Sequence, residues 1–142
     1  MTADNRQQTI IDEFSQIKNW EDRYKKIIQI GKELPKLSDE LYDEKFLVKG
    51  CQSQVWLHAS LDDQGRMELK ADSDAMIVKG LVALLLKAYS GLTPKEVLRT
   101  PPRFIEALEF TEYLSPSRAN GFLSMVKQTM LYAQAFTLTQ QS

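Results

Sequence analysis

The sequence has few of the residues on which most cysteine chemistry depends. It contains one cysteine, Cys51, and one histidine, His58. A single cysteine cannot form an intramolecular disulfide or a dithiol redox pair, and the two residues together fall short of the about four ligands of a structural zinc site. A cysteine protease needs a histidine base beside its thiol. An extended segment at about 3.3 Å per residue would separate the two side chains by roughly 20 Å. We therefore expect no Cys–His pair, and a strand position for His58.

Long apolar runs and an excess of one charge are also absent. The longest apolar run, residues 81–86, is far shorter than the about 20 residues of a membrane helix. The net charge of −1 gives no basic excess of the kind that nucleic-acid binding requires, and no glycine-rich phosphate loop occurs. Residues 1–5 show no basic region followed by an apolar one, so no secretory signal is visible. These absences predict a cytoplasmic protein that binds neither nucleic acid nor a membrane.

The length of 142 residues predicts one domain covering 1–142, because a domain typically takes about 100–200 residues. Apolar residues make up 43% of the chain, which is enough for a hydrophobic core. Its clustered aspartates could be imagined as an acid/base pair, but loop and helix-cap roles explain them more simply. These aspartates are Asp62, Asp63, Asp72 and Asp74.

The hydrophobic pattern changes period along the chain. Helical spacing predicts one helix in residues 6–17 and a second that is capped by Asn19 and stops at Pro35. Period-two alternation and turn residues then predict a short antiparallel sheet. Its predicted strands are residues 46–48, 55–61 and 67–71, the last two joined by a hairpin loop at 62–65.

A helix that is apolar on most sides is predicted to follow the strands. Asp72 or Ser73 would be its N-cap, and it would run to about Tyr89. Such a helix is buried, so it is expected to form the core of the domain. Gly80 inside it costs about 1 kcal/mol relative to alanine, which indicates a close backbone contact at that point.

The remaining third of the chain is predicted to be helical. Thr93 and Glu96 form a capping box that opens a short helix, another helix is expected around residues 104–108, and Ser115-Pro116 begins a long final one. The order of helices, then strands, then helices predicts an α+β fold with an antiparallel sheet.

Cys51 lies in the polar turn sequence Lys49-Gly50-Cys51-Gln52-Ser53-Gln54, whereas a lone cysteine is normally a small core residue. An accessible thiolate can attack the persulfide of a partner and take its outer sulfur. A persulfide formed on Cys51 would meet no second cysteine of its own chain. An inert or mildly reactive surface thiol is the simpler alternative, and the residues alone leave both open.

Arg118 is the second candidate, because it lies in the first turn of the predicted last helix. The helix dipole disfavours a cation there by roughly 0.3–1 kcal/mol, and residues that break local rules are enriched at functional sites. Arg118 could pair with a carboxylate or stabilise a thiolate. It could equally be a surface arginine paired with Glu112 or solvated. Lys49 is a weaker electrostatic candidate beside Cys51.

Four stretches of the chain resemble the SufE family, the sulfur-acceptor partners of cysteine desulfurases, in the right order and at similar spacing. The most specific is the block Gly-Cys-Gln-Ser-Gln at residues 50–54. Two departures, Tyr113 for a histidine and Phe122 for a leucine, lie outside this block. The four stretches are residues 19–35, 48–56, 72–81 and 114–121.

The resemblance implies a single α+β domain with helices packed on a small, about three-stranded antiparallel sheet, similar to the SufE/IscU fold. It implies that Cys51 takes persulfide sulfur from a SufS- or CsdA-like cysteine desulfurase and stimulates that enzyme. Cys51 would then pass the sulfur to a SufBCD-like iron–sulfur scaffold or another acceptor. The pyridoxal phosphate belongs to the desulfurase, so this chain is expected to bind no cofactor or metal of its own.

The resemblance also places Asp74 and Arg118 near the cysteine loop. The chain is thus expected to be a sulfur carrier rather than a stand-alone enzyme. A non-catalytic allosteric activator of a desulfurase and a thiol-based redox sensor are the alternatives. The cognate desulfurase, the final acceptor, the choice between monomer and homodimer, and the burial of Cys51 stay open at this point.

Overall fold

Helices flank a short β-hairpin in the computed structural model, which describes residues 2–140. Two short 3-10 helices, Asp39–Leu41 and Glu44–Phe46, precede the hairpin. The strands are β1 Val55–Leu61 and β2 Met67–Ser73, and the helices are α1 Ala3–Ser15, α2 Trp20–Lys32, α3 Met76–Tyr89, α4 Pro94–Arg99, α5 Arg103–Ala107, α6 Phe110–Tyr113 and α7 Pro116–Gln140. This order confirms the predicted α+β class.

The sheet consists of β1 and β2, paired antiparallel from Val55 opposite Ser73 to Leu61 opposite Met67. The prediction of a third strand at residues 46–48 was wrong for the described chain: Phe46 ends a 3-10 helix, and Leu47 makes only an isolated bridge to Trp56. The Asp43 side chain accepts a hydrogen bond from Lys45 N, and such local bonds compete with strand pairing. Too few residues then remain before the turn at Gly50 to form a ladder.

Helix α3 is buried along most of its length, as its apolar circumference predicts. It packs against α2 where two glycines meet: a Cβ added to Gly31 would lie 2.7 Å from Gly80 N, and one added to Gly80 would collide with the carbonyl oxygen of Ile27. The close backbone contact predicted at Gly80 is therefore confirmed.

The predicted N-cap of α3 was wrong. Asp72 and Ser73 belong to β2, because the pairing with β1 extends to Ser73, and the residue before the helix is Ala75, which makes no side-chain cap. The carboxylate of Asp72 is buried. It accepts hydrogen bonds from Tyr42 Oη at 2.6 Å and Ser73 N at 2.8 Å, and it pairs with Lys79 Nζ at 3.3 Å. Asp72 thus joins β2 to α3 and to the segment before β1.

Most of the other predicted helix starts agree with the structure, but α1 begins at Ala3, capped by Thr2, rather than at residue 6. Asn19 accepts from Asp22 N, Thr93 and Glu96 form the capping box, and the Ser115 hydroxyl accepts from Arg118 N at 3.3 Å. Helix α6 had not been predicted. Its stability comes from outside its own four residues, since Tyr113 stacks on Trp20 and its carbonyl accepts a hydrogen bond from Tyr24 Oη.

The buried apolar side chains form one cluster between the helices and the inner face of the hairpin. Within residues 2–140, no single helix is long and apolar enough to cross a membrane. The segments Met76–Tyr89 and Pro94–Ala107 meet the length and composition criteria only when taken together, and they are bent by 108° at their junction.

Candidate functional site

The loop that carries Cys51 is closed by a backbone hydrogen bond and packed against α7. Val48 N donates to Val55 O at 2.8 Å, which ties the two ends of the loop together. Gly50 has a φ of +93°, in the region that favours glycine. A Cβ at Gly50 would also lie 2.6 Å from Ser124 Oγ of α7. Glycine at position 50 therefore permits both the turn and the close packing of the loop on the helix.

The Cys51 thiol is partly buried rather than fully exposed, although Gly50 and Gln52 on either side of it are exposed. Its Sγ donates a hydrogen bond to the carbonyl oxygen of Gly121 at 3.4 Å. Burial raises the pKa of the Cys51 thiol above its usual value. The hydrogen bond to the Gly121 carbonyl also favours the protonated thiol. A carbonyl oxygen accepts a hydrogen bond from S–H, but it repels the negative charge of a thiolate.

Cys51 opens onto a cavity of about 320 Å³ between the loop, α3 and the start of α7. One part of the wall is apolar and is formed by Val78 and Met125, and the rest is mostly polar. The lining residues are Cys51, Gln52, Ser53, Val78, Ser115, Ser117, Arg118, Gly121 and Met125. The cavity therefore presents a thiol together with hydroxyl groups, an amide and a guanidinium.

Arg118 lines the same cavity as Cys51, although the two are far apart in sequence. Its side chain is exposed, and none of the ion pairs among residues 2–140 involves its guanidinium. The alternative pairing with Glu112 is not found in this part of the chain. Glu112 interacts instead with Glu109, whose hydrogen bond and charge raise the pKa of Glu112. Arg118 thus supplies a positive charge at the cavity that no described carboxylate neutralises.

Asp74 contacts the end of the cysteine loop rather than the cavity itself. Its Oδ1 accepts a hydrogen bond from Gln54 N at 3.0 Å, and Asp74 N donates to Gln54 O at 3.3 Å. This reciprocal pair fixes the point at which the loop enters β1. Lys49 is exposed and is not among the cavity residues.

Several residues of the site had not been singled out from the sequence. Val78, Met125 and Ser124 read as ordinary helix positions, and only tertiary packing brings them to the loop. Gly121 did carry a signal, because glycine inside a helix is unfavourable unless a close approach requires it. A Cβ at Gly121 would lie 3.5 Å from Cys51 Sγ, which is an ordinary contact distance, so this glycine lies against the thiol although the space does not require glycine.

His58 lies in β1, as predicted, opposite Lys70 of β2. Its ring packs edge-on against Phe46 at a centroid distance of 5.0 Å, and its Nδ1 has no hydrogen-bond partner among the described residues. Among residues 2–140, no group of three or more histidine, cysteine or acidic side chains is arranged to hold a metal ion.

Comparison with known proteins agrees with this architecture. A solution structure of a hypothetical protein from Thermus thermophilus is similar to the chain, with a TM-score of 0.78 and 21% sequence identity, over 94% of this chain and 96% of the other. That similarity supports the fold. The family profile SufE, the Fe-S metabolism associated domain, matches residues 8–133. This match covers the cysteine loop, the cavity and most of α7, and the chain therefore belongs to the SufE family.

Proposed function

We propose that this protein accepts sulfur from the persulfide of a SufS- or CsdA-like cysteine desulfurase onto Cys51, and thereby stimulates that enzyme. It then passes the sulfur to a SufBCD-like iron–sulfur scaffold or another acceptor, within the cytoplasm. The observation that carries the proposal is the Cys51 thiol at the wall of an open cavity that Arg118 also lines, with no second thiol in the chain. Membership of a family associated with Fe-S metabolism supports the same role.

The transfer is a thiol exchange that needs neither an oxidant nor a reductant. The Cys51 thiolate attacks the outer sulfur of the partner's persulfide, a new S–S bond forms on Cys51, and the partner's S–S bond breaks. The partner's cysteine leaves as a thiolate and is ready for its next turnover. The pyridoxal phosphate that generates the persulfide belongs to the partner, so Cys51 is the one catalytic group this chain must supply.

Ionisation of Cys51 is the step that the resting structure opposes. Burial raises the pKa of the Cys51 thiol, and the Gly121 carbonyl accepts a hydrogen bond from the protonated thiol. Movement of the loop away from Gly121, or closer approach of Arg118 to the sulfur, would favour the thiolate. We therefore propose that docking of the desulfurase loosens the loop. Transfer from the desulfurase would then be efficient only when that enzyme is docked.

The test is to incubate the protein with the desulfurase and cysteine and to analyse Cys51 by mass spectrometry. We expect a mass increase of one sulfur atom that a reductant removes, and we expect Cys51→Ser to abolish both the adduct and the stimulation of turnover. Arg66→Ala, in the hairpin loop at the far end of the strands, is a control that leaves both unchanged.

The alternative roles give different results in the same experiment. An allosteric activator would keep its stimulation in Cys51→Ser, and this result would contradict the sulfur-acceptor role. A redox sensor would be oxidised at Cys51 without any desulfurase. The chain has no resolving cysteine with which an oxidised Cys51 could form an intramolecular disulfide.

A further inference from the structure

The cavity beside Cys51 is much larger than one transferred sulfur atom requires. Its volume of about 320 Å³ lies at the lower end of the ~300–1,000 Å³ range of small-molecule sites. We propose that the cavity binds small persulfides that carry a carboxylate, such as cysteine persulfide, and that Cys51 takes sulfur from them without a desulfurase. This inference rests on the proposed role of Cys51 as a sulfur acceptor.

The charge of the cavity selects for the carboxylate. Arg118 is the cation of the lining, and no acidic residue lines the cavity. A guanidinium binds a carboxylate through two parallel hydrogen bonds. Ser115 and Ser117 add hydroxyl groups on the same side, at the start of α7. A persulfide with a carboxylate therefore finds both a counter-charge and hydrogen-bond donors in the cavity.

The apolar part of the wall suits the other end of such a ligand. Val78 and Met125 line the cavity together with the Cys51 thiol, and they would contact the carbon and sulfur atoms of the persulfide. A molecule held by its carboxylate at Arg118 would thus direct its sulfur end towards Cys51. Holding the reactants in this way raises the rate, because an encounter becomes a reaction between bound neighbours.

The chemical step balances without a further reactant. The bound persulfide anion, R–S–S⁻, takes the proton of the Cys51 thiol, and the Cys51 thiolate then attacks the outer sulfur. The S–S bond of the donor breaks, and R–S⁻ leaves. After proton exchange, the products are R–SH and the persulfide anion on Cys51. The donor itself acts as the base, which fits a site whose lining contains no histidine or carboxylate.

The test compares two small donors that differ in the carboxylate. Cysteine persulfide and cysteamine persulfide are each mixed with the protein, and the rate of sulfur addition to Cys51 is followed by mass spectrometry. The ratio of the two rates is divided by the ratio measured for the chain unfolded in urea, which corrects for intrinsic reactivity. We expect the folded protein to prefer cysteine persulfide about fivefold, equivalent to ~1 kcal/mol for an exposed ion pair.

Two variants connect this preference to the cavity. Arg118→Ala should remove the preference, whereas Arg66→Ala, which removes the same charge at the far end of the hairpin, should keep it. The inference would be overturned if the ratio of the cysteine persulfide rate to the cysteamine persulfide rate were no greater for the folded than for the unfolded chain. It would also be overturned if Arg118→Ala kept the preference for cysteine persulfide.

A parallel incubation with a desulfurase and cysteine separates the two proposals. If the desulfurase loads Cys51 and the small persulfides show no carboxylate preference, this inference alone fails. If neither source loads Cys51, the sulfur-acceptor role fails as well, and the inference falls with it.

Discussion

Cys51 is held in a contact that opposes the reactive form of its own thiol. The Gly121 carbonyl accepts its hydrogen bond at 3.4 Å, and half-burial removes the water that would solvate a thiolate. The proposed acceptance of persulfide sulfur requires the thiolate, so this contact would restrain Cys51 from premature reaction. Reactivity is therefore expected to depend on whether this loop is in place.

The pH dependence of alkylation measures this restraint directly. Because the pKa of Cys51 is raised, the thiolate fraction at neutral pH is lower than that of an ordinary cysteine. We expect the rate of reaction with iodoacetamide to rise with pH, with a midpoint above the usual cysteine pKa of about 8.5. The midpoint should fall to the usual value when the chain is unfolded in urea. A folded-state midpoint at or below the usual value would contradict the assignment.

At the scale of elements, the junction of the cysteine loop with β1 depends on Asp74. Asp74→Ala removes the acceptor of the Gln54 N–H while leaving the carbonyl of Gln54 bonded to the backbone of residue 74. Loss of a hydrogen bond worth about 0.5–1.5 kcal/mol should loosen the loop. We expect alkylation of Cys51 at constant pH to become about two- to tenfold faster.

Asp63→Ala is the matched control for this effect, because Asp63 is an exposed aspartate in the hairpin loop at the other end of the strands. In Asp63→Ala, Cys51 should be alkylated at the same rate as in the unchanged protein. Equal rates in both variants would show that Asp74 does not restrain the loop.

The packing of α2 on α3 depends on a second contact at the element scale. In Gly80→Ala the new methyl group would collide with the backbone of Ile27, and backbone cannot move aside as a flexible side chain can. We expect a loss of about 1–3 kcal/mol or more in the free energy of unfolding, measured by urea denaturation. Lys87→Ala, on the exposed side of the same helix, should change it by less than about 0.5 kcal/mol. An unchanged free energy of unfolding in Gly80→Ala would mean that α2 and α3 pack less closely than the structure shows.

At the scale of the whole molecule, the reactive thiol and the core are expected to be separable. Cys51 is half-buried and makes one weak hydrogen bond, whereas Leu81 is fully buried in the cluster. We expect Cys51→Ser to change the free energy of unfolding by less than about 1 kcal/mol and Leu81→Ala to lower it by about 2–5 kcal/mol. A large loss in Cys51→Ser would mean that its functional defects cannot be attributed to sulfur chemistry.

The sequence predicts those parts of the structure in which local signals agree with tertiary contacts. Asn19, the Thr93 capping box and the alternation of residues 55–61 all led to the observed elements, because caps and period-two patterns act within a few residues. The prediction that Asp72 caps α3 was wrong. Aspartate often caps helices, but here strand pairing and the buried contacts with Tyr42 and Lys79 hold Asp72 in β2. Helix α6 could not be predicted because the contacts that support it come from α2, which is distant in sequence.

The candidate site divides in the same way. Cys51 and Arg118 could be identified because each departs from the usual pattern for its residue type. The cavity could not be, since Val78 and Met125 are ordinary apolar helix residues whose meeting with Cys51 depends on how α3 and α7 pack. The partial burial of the thiol likewise comes from α7 and not from the polar turn around it.

The contact between Cys51 and Gly121 spans 70 positions of the chain, which has a consequence during protein synthesis. At about 5–20 residues per second, a ribosome needs roughly 4 to 14 s to add the residues between them. During this interval the nascent chain carries a cysteine without its cavity, and its thiol ionises as an ordinary one does. The shielding of Cys51 is therefore acquired only after α7 has been made and has folded against the loop.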